Sequence, residues 1–165
     1  MLFRSPLDVN AVLDETTETL LLTGVLKYMK VEKKYSQERV YIYGDRNLLE
    51  QVIRNLEINA AHAMQPGGRL TLTTRLEKNG EELLMEFQDT GHGIAEENLK
   101  KIFLPFFTTK SEGVGTGLGL PIVKDIVEQH NGRLTLESQV GQGTTMAVHL
   151  PVAKDVLFTK NLTLS

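Results

Sequence analysis

The stretch Arg46–Met64 does most to limit what this chain can become. Leu49, Val52, Ile53, Leu56, Ala60 and Ala63 recur at helical spacing and line one face of an amphipathic helix. Gln65-Pro66-Gly67-Gly68 ends it, and the period then changes. Arg69–Leu76 alternates as a strand, Lys78-Asn79-Gly80 supplies a turn, and Glu82–Gln88 returns antiparallel. A helix with one apolar face followed by a hairpin calls for helix packed on sheet. The rest of the chain adds more of both. Pro6–Asn10 leads into a helix with Asn10 as its cap and Leu13, Leu20 and Leu21 among its apolar residues. Tyr28–Tyr35 and Val40–Tyr43 alternate as short strands. Leu118–His130 reads as a helix closed by Asn131-Gly132, and Arg133–Ser138 with Thr144–Leu150 forms a last hairpin through Gly141-Gln142-Gly143. The expected fold class is α+β: a two-layer sandwich with helices on one face of a mixed, mostly antiparallel sheet.

Composition narrows the function classes. The 165 residues fit one domain, 1–165, with a core of about 6–151 and a tail, 152–165, without assignment. Eighteen Lys+Arg against 21 Asp+Glu leave a net charge of −3, which gives no support to a nucleic-acid or membrane-contacting surface. Without cysteine there is no disulfide framework, thiolate metal site or Cys nucleophile, and a reducing compartment is expected. The longest apolar run, near Leu20–Leu26, is broken by Thr23 and Gly24, too short to span a bilayer.

Three polar segments carry chemistry. Gly113, Gly115, Gly117 and Gly119 alternate just before a helix, so backbone N–H groups and a helix N-terminus can approach an anion. The Walker loop is excluded because no Gly-Lys-Ser/Thr triplet exists; a Rossmann loop is excluded because Thr108–Glu112, not an apolar strand, precedes the glycines. A eukaryotic-type protein kinase would need Val-Ala-Ile-Lys and His-Arg-Asp elements, and both are missing. On helix Arg46–Met64, Gln51, Asn55, Asn59 and His62 form a polar stripe whose amide oxygens suit a hard cation such as Mg²⁺. Asp89-Thr90-Gly91-His92-Gly93-Ile94 follows an apolar strand; its carboxylate can accept from an exocyclic amine while the glycines leave room for a flat ring. Each also has a plain reading: a flexible loop, a solvated helix face, a turn.

Taken together and in order, these segments resemble the catalytic, ATP-binding domain of two-component sensor histidine kinases, which shares the Bergerat fold with gyrase-type ATPases. Asn55–Ala60 is similar to the asparagine box and Asp89–Ile94 to the first glycine box. Ile102–Lys110 resembles the phenylalanine box, Gly115–Leu120 the second glycine box, and Gly141–Thr145 the late Gly-Thr element. The resemblance spans about Pro6 to Pro151.

It implies roles residue by residue. Asp89 would bind the adenine amine, helped by a water near Gly93 and Thr144, with Gly91 and Ile94 in the same box. Asn59 would ligate Mg²⁺ bridging to ATP, with Asn55 one turn earlier, both counted with Lys110 as catalytic. His62 and Lys110 would contact phosphate. Gly115, Gly117 and Gly119 would hinge a lid over about residues 107–117, with Thr116, Leu118 and Leu120 at the phosphate end. Phe103, Phe106 and Phe107 would anchor the lid and meet the partner domain, although core packing is the reading preferred for Phe103. Gyrase-like hydrolases carry a glutamate base at the place of Asn55, and an amide cannot take that proton at neutral pH. The implied reaction is therefore transfer of the ATP γ-phosphoryl group to a histidine.

None of His62, His92, His130 and His149 sits in a phosphoacceptor pattern. The accepting histidine is expected on a separate dimerisation domain, with a response regulator as indirect partner. The domain is expected to be cytoplasmic, within a parent that is free to be membrane-anchored. Two other readings stay open: a regulatory nucleotide-binding domain without transfer activity, and an anti-sigma-type serine kinase, which usually keeps the glutamate. One position departs from the family pattern, where an apolar residue is usual. Glu57 falls about 100° past Leu56, beyond the edge of the apolar arc. Either it snorkels to water or it is partly buried and destabilising, the reading favoured here.

Overall fold

A computed structural model describes residues 4–110 and 115–156. Its elements follow in chain order: β1 (Ser5–Asp8), α1 (Val9–Leu22), β2 (Lys30–Lys34), β3 (Tyr41–Gly44), α2 (Arg46–Ala63), β4 (Arg69–Glu77), β5 (Glu82–Asp89), α3 (Gly119–Gln129), β6 (Arg133–Gln139) and β7 (Gly143–Pro151). Five strands form the main sheet in the order β2-β4-β5-β7-β6; only β2 and β4 run parallel. Alternate residues of the central strands, Leu70 and Leu72, Leu83, Met85 and Phe87, Met146, Val148 and Leu150, share one core with the helices. The other face carries Thr73, Glu86 and Ala147, aligned across β4, β5 and β7. The α+β layer architecture is the one expected.

Three local details differ from the sequence expectation. First, β1 was not foreseen: it pairs antiparallel with β3 in a separate two-stranded sheet. Second, Asp8 caps α1, accepting at Oδ1 from the Ala11 N–H at 3.3 Å. Asn10, the expected cap, lies two residues further on, within the first turn, and bridges outward, donating to the Ser36 carbonyl at 3.0 Å and accepting from Thr74 at 2.6 Å. Third, the start of the tail belongs to the fold. The Ala153 N–H donates to the Tyr41 carbonyl at 2.8 Å, and the Tyr43 hydroxyl donates to Asp155 at 2.5 Å.

Helix α2 is the spine of the domain. Asp45 caps it through the N–H groups of Asn47 and Leu48, and the buried His130 at the end of α3 accepts from the Asp45 N–H at 3.1 Å. The His130 Nδ1–H donates to the Ile126 carbonyl, so one imidazole joins the end of α3 to the start of α2. Because α2 lies between α1, α3 and the sheet, its buried arc is wider than a single stripe and takes in Glu57 and Ala61, while Ala63 is only half-buried.

Glu57 is 0 % exposed, which excludes snorkelling. Its Oε1 accepts from the Thr17 hydroxyl of α1 at 2.6 Å, and its Oε2 has no partner among the described residues. Burial pushes its carboxyl up to about 7, against smaller opposing effects of Thr17 and Lys33.

Candidate nucleotide-binding cleft

A cleft of about 810 Å³ opens between α2, the ends of β5 and β7, and the start of α3. Nearly all the expected site residues line it: Asn55, Asn59 and His62 from α2, Asp89 from β5, Gly93 and Ile94 from the loop that follows. Lys110, Gly115, Thr116, Gly117, Gly119, Leu120 and Thr144 complete the set. Gly91 and Leu118 are the exceptions. Gly91 lies packed under the Ala63 carbonyl, where a Cβ would collide, and the Leu118 N–H turns back to the Thr116 hydroxyl at 3.3 Å.

One end of the cleft is built around Asp89. The antiparallel register sets Asp89 opposite Thr144 at the ends of β5 and β7. Its Oδ1 accepts from the N–H groups of Gly91 at 2.8 Å and Thr144 at 3.2 Å. Its Oδ2 accepts from none of the described residues. The carboxylate is thus fixed in rotation with one oxygen left for a donor in the cleft. Burial raises its pKa, and the two N–H groups and nearby His92 act against that shift. Gly93 is needed here for its backbone: its φ is +72°, and a Cβ would run into the Gln139 carbonyl.

At the other end the chemistry is cationic. Lys110 Nζ donates to His62 Nδ1 at 3.0 Å and stands 3.5 Å from Asn59 Oδ1. Burial lowers the pKa of both side chains, and the Lys110 charge lowers that of His62 further. An imidazole accepting from Lys110 at Nδ1 carries its proton on Nε2. Asp89 is the only carboxylate among the described residues that line the cleft. Helix α3 begins here without a side-chain cap, and its first residues, Gly119 and Leu120, line the cleft. The cleft thus offers a hydrogen-bond-accepting carboxylate at one end and a lysine cation beside a helix N-terminus at the other.

The profile of the histidine kinase-, DNA gyrase B- and HSP90-like ATPase family matches residues 44–154. The chain belongs to this family. Sporulation kinase C of Bacillus subtilis is 36 % identical over 148 residues, which are 89 % of this chain and 34 % of that protein. The mycobacterial sensor histidine kinase MprB superposes with a TM-score of 0.80 at 26 % identity, covering 90 % of this chain and 97 % of that one. Full-length ShkA, solved in complex with AMPPNP, gives a TM-score of 0.80 at 26 % identity, covering 93 % of this chain and 32 % of that one. The chain therefore spans about a third of the length of the sporulation kinase it matches. ATP is the nucleotide of the family, and the fold is that of histidine kinase catalytic domains.

The phenylalanine segment divides by packing. Phe103 packs against the core, Phe107 lines the cleft, and Phe106 stands 75 % exposed with a φ of +67°. The Phe106 N–H donates to the Gly117 carbonyl at 2.9 Å, and a Cβ on Gly117 would strike the Phe106 backbone. Gly117 thus has a backbone reason to be glycine, whereas at Gly119 a Cβ would meet open space. Gly113 and its neighbours over 111–114 lie outside the described residues. On the cleft wall, Asn98 and Val140 lie outside every motif in the sequence, and His92 and Ile102 lie within the boxes but had no role assigned. They come from loops and hairpin tips without periodicity, where only the fold brings them together.

Proposed function

We propose that this chain is the ATP-Mg²⁺-binding catalytic domain of a two-component sensor histidine kinase, which transfers the γ-phosphoryl group of ATP to a histidine on a separate dimerisation domain. The observation that carries this is the placement of Asp89: one oxygen fixed by two backbone N–H groups, the other free on the wall of a cleft whose far end is cationic. The free oxygen is suited to the adenine amine, and Lys110, His62 and the start of α3 to the phosphates.

Asn59 fits Mg²⁺. Its amide oxygen already faces a cation, Lys110 Nζ, and a single protein oxygen suits a metal that keeps waters and takes phosphate ligands. When bound, Mg²⁺ supplies charge neutralisation of the triphosphate. Asn55 supports transfer over hydrolysis. Its amide points at α3, with Nδ2 3.5 Å from the Gly119 carbonyl, and it offers no base for water. In the transfer, an imidazole nitrogen attacks the γ-phosphorus, the bond to the β–γ bridging oxygen breaks, ADP leaves and the imidazole loses its N–H proton.

The test is incubation of the chain with labelled ATP, Mg²⁺ and a separately produced phosphoacceptor domain. Acid-labile, base-stable label on the acceptor histidine is the expected result. Bound ATP with no transfer would establish the regulatory reading, and acid-stable label on serine the serine-kinase one.

A further inference from the structure

We propose that Ser138 is a positioning residue for nucleobase choice: it fixes the Thr144 hydroxyl as a hydrogen-bond acceptor toward the cleft. The inference rests on the nucleotide reading of the cleft and extends it to a residue outside the cleft wall. Asp89, Thr144 and Ser138 form one row across β5, β7 and β6, because Thr144 is in register with both of the others. Three polar contacts converge on the Ser138 hydroxyl. The Ile94 N–H donates to it at 2.8 Å, the Gly143 carbonyl lies 3.1 Å away, and the Thr144 hydroxyl lies 2.8 Å away.

A serine hydroxyl has one proton and two lone pairs. With the proton given to the Gly143 carbonyl, Ser138 accepts from both Ile94 and Thr144, and all three contacts are hydrogen bonds. With the proton given to Thr144, the contact with the Gly143 carbonyl has none. The first arrangement satisfies more groups in a half-buried place, and it spends the Thr144 proton on Ser138. Thr144 then presents only lone pairs to the cleft, beside the free Oδ2 of Asp89.

Two acceptors side by side discriminate between purines. The adenine amine at C6 carries two N–H groups, one for each acceptor, whereas a 6-oxopurine has only an oxygen there and its proton on N1. An acceptor pair meets that oxygen with repulsion. Freed from Ser138, the Thr144 hydroxyl rotates and donates to it. Ser138→Ala therefore weakens the preference for adenine, and does so through Thr144 alone.

The experiment is a calorimetric titration of the chain with ATP and with inosine triphosphate, which differs at this edge and leaves the 2-position free. Wild type, Ser138→Ala, Ser138→Thr, Thr144→Val and the double variant Ser138→Ala/Thr144→Val are compared. Wild type binds ATP more tightly. In Ser138→Ala the ATP-to-ITP affinity ratio falls by about five-fold or more, and Ser138→Thr, which keeps the hydroxyl, retains the wild-type ratio. In the Thr144→Val background, adding Ser138→Ala leaves the ratio unchanged. Equal weakening of both nucleotides in Ser138→Ala, or the same fall in the Thr144→Val background, overturns the inference and leaves the nucleotide reading intact. Should Ser138→Ala fail to fold, loss of the ratio in Ser138→Thr overturns it. Absence of ATP binding by the wild type overturns the nucleotide reading itself.

Discussion

At Asp89 the fixed carboxylate gives a sharp expectation. Asp89→Asn keeps the shape but puts an NH₂ or a neutral oxygen where the free oxygen faces a base. Loss of the bond, with polar groups left unpaired, is expected to weaken ATP binding by about 1–3 kcal/mol, read as a rise in Kd of about five- to 150-fold. Unchanged affinity in that variant would remove Asp89 from base recognition. Glu57 carries a different consequence. Its carboxyl, raised from 4.5 to about 7, binds a proton in the folded state that the unfolded chain has already released. Stability from this group is therefore fully present below pH 4.5 and is lost as pH rises through 7, by about 3 kcal/mol in all. Replacing Glu57 leaves the Thr17 hydroxyl with a partner, since its proton turns from Oε1 to the Leu13 carbonyl 2.8 Å away. Glu57→Leu is expected to raise stability by about 1 kcal/mol at neutral pH, after the strain of refitting a branched side chain. The gain should shrink toward pH 5, and ATP affinity should stay unchanged. Denaturant melts at pH 5 and pH 8 read both; a variant less stable at pH 8 would show that the buried carboxylate makes a favourable contact.

Among the elements, the segment that joins the phenylalanine box to α3 is the one expected to respond to nucleotide. Thr108, Thr109 and Thr116 are exposed, and the nearest described atoms to a Cβ on Gly115 would be those of the Thr108 and Lys110 side chains. With exposed side chains at Thr108, Thr109 and Thr116, the amides of 108–110 and 115–117 should exchange hydrogen fastest among the described residues of the free protein and gain protection with ATP-Mg²⁺. Uniform protection before nucleotide is added would remove the lid reading. What the sequence made legible at this scale follows from physical cause. Helix α2, the β4–β5 hairpin and the β6–β7 hairpin have strong periods and turn residues, and their boundaries differ from expectation by a residue or so. Strand β1 is four residues with a proline and no alternation, so only its pairing with β3 defines it. The cap of α1 was placed two residues late because Asp8 and Asn10 are both good capping types. Asn10 has tertiary partners that no local pattern reveals. In the cleft, box residues could be placed from motif spacing. Ser138 could not, since its relation to Asp89 exists only through strand register, and Val140 could not, since it sits in the turn after β6.

For the whole molecule, the cleft joins both layers. Its cationic end sits on α2 and the start of α3, and its carboxylate end on the sheet, so nucleotide binding is expected to couple them. No described helix is long and apolar enough to cross a membrane. The relatives extend well beyond the part this chain matches, and the proposed transfer needs a histidine that this chain lacks in a phosphoacceptor pattern. The central claim is that the cleft holds ATP together with Mg²⁺ through Asn59. Calorimetric titration of the chain with a non-hydrolysable ATP analogue, with and without Mg²⁺, in wild type and Asn59→Ala, tests it most directly. One site per chain, affinity raised by Mg²⁺ in the wild type, and loss of that rise in Asn59→Ala are the expected results. Binding that ignores Mg²⁺ in the wild type, or a Mg²⁺ effect that survives intact in Asn59→Ala, would contradict it.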